Sequence, residues 1–138
     1  MTYGDPEVIR RLLADAHVWA VVGLGDNPRR AAYGVASFLQ ANGKQVVPVH
    51  PSAATVHGEP GYACLADIPF PVDVVDCFVN SSRVGAVVDQ AVAVGAKAVW
   101  LQLDVIDEAA VARAAAAGLD VVMDHCPAIE APRLRIWG

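Results

Sequence analysis

The sequence predicts a Rossmann-like, doubly wound α/β fold with a mostly parallel, five-stranded sheet in three layers. Five valine-rich apolar runs alternate along the chain with segments of helical character, and glycines stand at the joins. The runs are hydrophobic almost throughout, which is typical of strands covered by helices on both faces. Short joins between strands and helices favour right-handed crossovers and therefore an open parallel sheet.

The strands are predicted at residues 18–24, 45–49, 72–79, 98–103 and 119–123. The first helix opens at Asp5-Pro6-Glu7, where a capping residue precedes a proline and an acid. Three further helices are predicted over residues 30–42, 82–94 and 107–117. Each is followed by a glycine, which readily takes the left-handed conformation that ends a helix.

The joins and the tail are less regular. Ser81 or Ser82 is expected to cap the third of these four helices. Residues 50–71 contain four prolines and two glycines, which predicts a long connection with at most one short helix near residues 65–67. The apolar tail after Cys126 is expected to pack back on the body of the protein.

Composition restricts the class of protein. A chain of 138 residues, 55% hydrophobic and 18% charged, predicts one domain over residues 1–138 and argues against disorder. A formal charge of −5 lacks the broad basic surface that nucleic acids or anionic membranes require. No apolar run approaches the roughly 20 residues of a membrane span, and residues 1–11 lack a signal-type stretch. Three widely spaced cysteines indicate free thiols in a reducing compartment. We therefore expect a cytoplasmic protein.

The first predicted strand runs into a glycine-containing turn, VVGLGDNPRR at residues 21–30. Gly23 and Gly25 permit a tight turn and let backbone N–H groups approach a diphosphate. Pro28 stands where the third glycine of the dinucleotide fingerprint would be. The position after the first strand predicts a phosphate-binding turn, and a turn that needs glycine only for its own geometry is the alternative.

The end of the second strand carries no acid. NAD-binding proteins need a carboxylate there for the ribose hydroxyls, but this chain continues with His50, Pro51 and Ser52. Histidine and serine can donate hydrogen bonds to a phosphorylated ribose, which both NADP and coenzyme A (CoA) carry. His50 as an ordinary loop residue remains the alternative. A basic rim for an anionic small molecule is expected at the same edge from Arg29, Arg30, His50, Arg83 and His125.

No catalytic constellation or metal-ligand spacing is visible. His125 and Cys126 could form a Cys–His dyad, but neighbours on an extended chain point in opposite directions, which disfavours direct pairing. Cys126 as a thiol beside the ligand stays open.

The chain resembles the small stand-alone CoA-binding proteins, which are similar to the N-terminal domain of the succinyl-CoA synthetase alpha subunit. The resemblance covers nearly the whole chain in order. The matching blocks are AVVGL at 20–24 with Asn27, Pro28 and Arg30, VPVHP at 47–51, Gly58, YACLADIP at 62–69, VDVVD at 72–76, GAKAVWLQ at 95–102 and MDHCPAIE at 123–130.

This resemblance implies CoA as the cofactor, with the turn from Gly23 to Arg30 at its pyrophosphate and His50-Pro51 beside its adenosine. The site residues it implies, together with those expected from their positions, are Gly23, Leu24, Gly25, Asn27, Pro28, Arg29, Arg30, His50, Pro51, Val79, Asn80, Gln102, His125 and Cys126. Four departures from the family pattern reduce positive charge or hydrogen bonding at the site: Gly25, His50, His125 and the pair Val79-Asn80.

The leading hypothesis is a non-catalytic module that binds CoA or an acyl-CoA as a carrier, sensor or regulator. Acyl-CoA synthesis by succinyl-CoA synthetase needs a phosphorylatable histidine on a second alpha-subunit domain and a nucleotide-binding partner, neither of which is in this chain, so the resemblance does not imply that activity here. The alternatives are an NAD(P)-binding redox enzyme and a nucleotide-sensing interaction module. The expected partner is the small-molecule ligand, with a homodimer or an unknown protein partner open and no role for nucleic acid or a membrane.

Overall fold

The protein is described here by a computed structural model covering residues 3–137, so Met1, Thr2 and Gly138 of the expected domain lie outside the described residues. Its centre is a five-stranded sheet in the order β2-β1-β3-β4-β5, and every pair of neighbouring strands is parallel. The doubly wound, Rossmann-like prediction is confirmed. The strands are β1 (Val18–Val22), β2 (Gln45–Val49), β3 (Val74–Cys77), β4 (Ala98–Leu101) and β5 (Asp120–Val122).

Helices cover both faces of the sheet, which gives the three expected layers. The helices are α1 (Pro6–Asp15), α2 (Ala31–Ala41), α3 (Ser81–Ala93), α4 (Glu108–Ala116) and α5 (Pro127–Arg133). One core layer lies against α1, α2 and α5, and the other lies against α3 and α4. A short 3-10 helix, Leu65–Asp67, joins the second layer. No helix among the described residues is both long and apolar enough to span a bilayer.

Four of the five strands are shorter than predicted, because apolar residues continue beyond the paired residues at one end of β1 and β4 and at both ends of β3 and β5. At the end of β1, Gly23 adopts a φ of +101° and turns the chain towards α2. Residues 78–79 likewise leave β3 for the loop before α3. Hydrophobicity therefore located the strands correctly but could not show where each one turns off the sheet edge.

The helix ends agree with the predictions except at α3. The Asp5 carboxylate accepts from Glu7 N at 2.9 Å, and the glycines after α2, α3 and α4 all have positive φ. The capping role expected for Ser81 or Ser82 is wrong, because Asn80 occupies the N-cap position. The Ser81 hydroxyl instead accepts from Ile106 N at 2.9 Å and donates to Asp104 O, which ties the start of α3 to the loop before α4.

The tail does pack on the body, but it contains a helix that was not predicted from the sequence. α5 begins with Pro127 directly after Cys126, a pattern that favours a helix start. Beyond α5, the Trp137 ring lies 5.6 Å from the Phe38 ring, centroid to centroid.

The connection between β2 and β3 returns to the sheet edge before it leaves for β3. Tyr62 N donates to Pro48 O and His50 N donates to Tyr62 O, both at 3.0 Å. The predicted short helix follows directly, with Leu65 buried in the core. These contacts fix residues 62–65 beside the carboxyl end of β2.

One carboxyl lies in the core without a partner. Asp76 on β3 is fully buried between Val21 and Trp100 of the neighbouring strands, and neither of its oxygens has a hydrogen-bond partner among the described residues. Burial raises the pKa of Asp76 well above its usual range. The folded state therefore holds this carboxyl as the neutral acid over a wider pH range than the unfolded chain does.

This difference predicts a pH-dependent stability for Asp76. Above the ordinary aspartate pKa the unfolded chain loses the proton while the folded chain keeps it, so folding stability falls as pH rises, by up to about 1.4 kcal/mol per unit until the folded pKa is reached. In Asp76→Asn this loss is absent. Denaturant unfolding from pH 4 to pH 8 should show the free energy of unfolding of the variant increasing relative to that of the wild type as pH rises. Parallel stability curves would contradict the assignment.

Candidate functional site

A cleft of about 740 Å³ opens at the carboxyl ends of β1, β2 and β3. The chain crosses from β1 to β2 on one face of the sheet and from β3 to β4 on the other, so α2 and α3 diverge from neighbouring strand ends. A crevice at such a reversal of strand order is where open parallel sheets bind ligands. Its volume lies within the range of about 300–1,000 Å³ that small-molecule sites occupy.

The bottom of the cleft is a glycine turn that leaves no room for a side chain. Gly23 N donates to Val49 O at 2.8 Å, while Phe78 N donates to Val22 O at 2.8 Å, so the ends of β1, β2 and β3 are linked. A Cβ atom on Gly23 would lie 2.5 Å from Phe78 O. Glycine is therefore required here both for its positive φ and for the close approach of the two backbones.

The turn leads directly into the N-terminus of α2. The Asn27 side-chain oxygen accepts from Arg29 N at 3.0 Å, and Arg30 N donates to Asn27 O at 3.2 Å, which orders the turn. Arg30 is the N-cap residue and makes no side-chain cap hydrogen bond, and Ala31 and Ala32 line the cleft behind it. The first N–H groups of a helix point back beyond its N-terminus and favour an anion there.

The geometry also fixes the tautomer of His50. Ser52 N donates to His50 Nδ1 at 3.1 Å, and because a backbone N–H can only donate, Nδ1 accepts and the ring proton is on Nε2. A Cβ atom on Gly25 would lie 3.3 Å from Cδ2 of this ring. Gly25 thus allows the imidazole to lie close to the turn, with an N–H donor on the ring.

The opposite wall is formed by one face of α3. Arg83, Val87 and Gln90 line the cleft at a spacing that places them on the same side of a helix. Arg83 was expected at the rim from the sequence. Val87 and Gln90 were not predicted, although their spacing from Arg83 was a usable signal. Asp26 and Cys64 also line the cleft without having been predicted.

The structure brings eight of the fourteen predicted site residues together at the cleft: Gly23, Gly25, Asn27, Arg30, His50, Pro51, Val79 and Asn80. Six others do not line it. Leu24 is buried in the core, Pro28 and Arg29 are exposed on the turn, and Gln102 is buried beyond the end of β4.

His125 and Cys126, the remaining two, lie elsewhere at the same edge. His125 borders a separate cavity of about 450 Å³ beyond β5, and its Nδ1 lies 2.8 Å from Met123 O. Cys126 is 6% exposed and occupies the N-cap position of α5. The cysteine that lines the cleft is Cys64, so a ligand in the cleft would have Cys64, and not Cys126, beside it.

The cleft is positively charged although the chain is acidic overall. Arg30 and Arg83 contribute two permanent positive charges, and Asp26 is the only acid among the described residues that line it. No cluster of three or more histidine, cysteine or acidic side chains suited to a metal ion occurs within residues 3–137. This donor set suits an anionic organic ligand, with a glycine turn and helix N-terminus for a diphosphate.

Comparisons with known proteins show the family and the fold of the chain. A family described as CoA binding domain matches residues 17–132. The uncharacterized protein YneT of Bacillus subtilis (strain 168) is 30% identical over 118 residues, which cover 86% of this chain and 87% of YneT. A hypothetical protein from Pyrococcus horikoshii OT3 has a similar structure with a TM-score of 0.89 and 36% identity, covering 94% of this chain and 92% of that one.

A larger enzyme contains a similar region. The apo form of a dinucleotide forming acetyl-coenzyme A synthetase 1 from Ca. Korarchaeum cryptofilum has a similar structure with a TM-score of 0.70 and 26% identity. The match covers 82% of this chain and 27% of the synthetase chain.

The different burial of the three cysteines predicts their reactivity. Cys77 is fully buried, with its pKa raised by burial and by the nearby Asp76, and Cys126 is nearly inaccessible, whereas Cys64 is partly exposed in the cleft. Intact-mass analysis of the native protein with a maleimide should show one fast addition. Cys64→Ser should lose that addition, and Cys126→Ser should keep it. Equal labelling of two cysteines would contradict the described burial.

Proposed function

The chain belongs to the CoA binding domain family, and we propose that it binds CoA or an acyl-CoA in the cleft as a carrier, sensor or regulatory module. The observation that carries this proposal is the junction of Gly23 with the N-terminus of α2. Gly23, which leaves no room for a side chain, lines the same cleft as the start of α2, where Arg30 is the N-cap residue. That arrangement suits a diphosphate, which CoA contains.

A diphosphate would lie against the turn and the first N–H groups of α2. Arg30 would contribute a positive charge from the N-cap position, and charge-assisted hydrogen bonds of this kind are stronger than neutral ones. The Asn27 contacts would hold the turn in place before the ligand arrives, so less ordering would be needed on binding.

The end of β2 supports CoA over NAD. The residues that follow Val49 at the cleft are His50 and Pro51, and His50 offers an N–H donor on Nε2 where a carboxylate would be needed for free ribose hydroxyls. A ribose phosphate accepts such a donor. This feature does not by itself separate CoA from NADP, so both belong in the test.

Binding of a ligand fits the chemistry of His50 better than catalysis does. Its Nδ1 is engaged by Ser52, and its Nε2 carries the proton, so the ring is arranged to donate a hydrogen bond. Use of this imidazole as a general base would first require the Ser52 contact to break. We therefore propose a binding module rather than an enzyme.

The proposal is tested by thermal melting with saturating ligand under reducing conditions. A ligand at about one hundred times its dissociation constant stabilises the folded state by about 2.7 kcal/mol, which for this chain length is a Tm increase of about 10 °C. We expect this increase with CoA and acetyl-CoA, a smaller one with dephospho-CoA because the ribose phosphate is lost, and none with NAD.

Two neighbouring arginines give a matched control. Arg30 lines the cleft while Arg29 does not, and both are exposed with no side-chain hydrogen bond among the described residues. Arg30→Ala should weaken CoA binding about tenfold, and Arg29→Ala should change it less than twofold. An increase in Tm with NADP or NAD but not CoA would contradict the proposal in favour of a nicotinamide-binding protein. No increase with any ligand would also contradict it.

A further inference from the structure

The second cavity, of about 450 Å³, lies beyond the carboxyl ends of β4 and β5. Three segments line it: the chain just before α1, the connection from β4 into the start of α4, and the residues that follow β5. Among the described residues, none lines both this cavity and the cleft. The second cavity is therefore a separate site, and its chemistry can be considered independently of CoA.

Acids provide the charge around the second cavity. Glu108 and Asp124 line it and are exposed, and no lysine or arginine lines it within the described part of the chain. Asp124 Oδ1 accepts from Asp104 N at 2.7 Å, which holds this carboxylate in place and leaves Oδ2 available. Arg113, the arginine of α4, is paired with Asp89 instead. The cavity therefore attracts a cation, whereas the cleft attracts an anion.

His125 contributes a further acceptor to the second cavity. Its Nδ1 lies 2.8 Å from Met123 O, and because a carbonyl oxygen can only accept, Nδ1 carries a proton. In the neutral ring Nε2 is then an acceptor. A Cβ atom on Gly4 would lie 2.5 Å from Cε1 of this ring, so glycine is needed for the chain before α1 to pack against the imidazole. The ring is thus held in a fixed place at the cavity wall.

Exposed apolar side chains lie at and beside the second cavity. Ile106 lines it and is 47% exposed. Leu103, which is 45% exposed, directly precedes the Asp104 N–H that binds Asp124. Ile129, which is 51% exposed, lies in the first turn of α5, shortly after β5. Apolar side chains left exposed together at one edge of a protein mark a contact surface for another molecule.

We propose that this surface docks a protein partner, which inserts an arginine side chain between Glu108 and Asp124. A guanidinium has five N–H donors and no acceptor, so one group can serve both carboxylates and the His125 ring. The carbon stem of the arginine would lie along Ile106, and apolar residues that flank it in the partner would cover Leu103.

Other occupants match the surface less well. In a symmetric contact with a second copy, Glu108 and Asp124 would approach the same acids of the other chain, and like charges repel. An anionic membrane surface would be repelled for the same reason. A small organic cation would fill the cavity but leave Leu103 and Ile129 uncovered. A protein segment with an arginine among apolar residues matches both the charge and the exposed apolar area.

The test uses two blocked tripeptides, acetyl-Leu-Arg-Leu-amide and acetyl-Leu-citrulline-Leu-amide. Citrulline has the shape of arginine, with a neutral urea in place of the guanidinium. Two-dimensional amide NMR titrations of the full chain should show the resonances of Tyr3, Ile106 and His125 shifting with the arginine peptide. We expect a millimolar dissociation constant for this peptide and about fivefold weaker binding of the citrulline peptide, since two exposed charge pairs are lost.

A double variant tests the two acids. In Glu108→Gln/Asp124→Asn the two peptides should bind with affinities that agree within about twofold, because the charge pairs are gone. Asparagine tolerates the positive φ of +64° at position 124 and can still accept from Asp104 N, so the loop is preserved. Asp26→Asn/Glu59→Gln removes the same charge away from the second cavity and should keep the fivefold difference.

Each other outcome contradicts the proposal. Equal binding of the two peptides to the wild type would show that the guanidinium is not recognised. A fivefold difference that persists in Glu108→Gln/Asp124→Asn would place the arginine elsewhere. Butylguanidinium binding as tightly as the arginine peptide would indicate a site for small cations and not a protein-docking surface. If no probe binds, the proposal fails, while CoA added to the same sample still tests the proposed function separately.

Discussion

Two hydrogen bonds, from Gly23 N to Val49 O and from Phe78 N to Val22 O, join the carboxyl ends of the adjacent strands β2, β1 and β3. The chain turns off β1 at Gly23, which has a φ of +101°, and the Phe78 carbonyl lies where a Gly23 side chain would be. The turn leads to the start of α2, which lines the same cleft. The shape of the cleft at this turn depends on this packing of backbone against backbone. Any side chain at Gly23 would separate the strand ends and displace the helix start.

Local charge adds selectivity to this geometry. The chain carries a formal charge of −5, yet Arg30 and Arg83 stand on opposite walls of the cleft and His50 presents an N–H donor beside the turn. An anionic ligand is therefore attracted to one restricted region of an otherwise acidic protein. The walls differ in kind, because the α2 side offers backbone N–H groups while the α3 side offers a sequence of charged, apolar and amide side chains. A long ligand with chemically distinct parts can use both.

Much of the fold was predictable from the sequence, because strands buried on both faces need continuous apolar runs and a glycine favours the left-handed turn that ended three of the helices. The glycine turn after β1 was predictable for a similar reason, since Gly23 has a backbone role that few residues can take. Gln90 and Cys64 were missed because their position at the cleft depends on how α3 and the β2–β3 connection pack together. His125 and Cys126 follow a strand, as site residues often do, but β5 lies two strands away from the cleft. The order of the strands in the sheet determines which loops lie together at the cleft, and that order could not be read directly from the sequence.

The proposed function requires that the Gly23 turn and the start of α2 receive the diphosphate of CoA. The most direct measurement is a two-dimensional amide NMR titration of the labelled protein with CoA, followed residue by residue. We predict the largest shift changes at the backbone amides of residues 23–32, with smaller changes at His50 and along the cleft-facing side of α3. Changes concentrated instead around Tyr3, Ile106 and His125, which border the second cavity, would contradict this placement of the ligand.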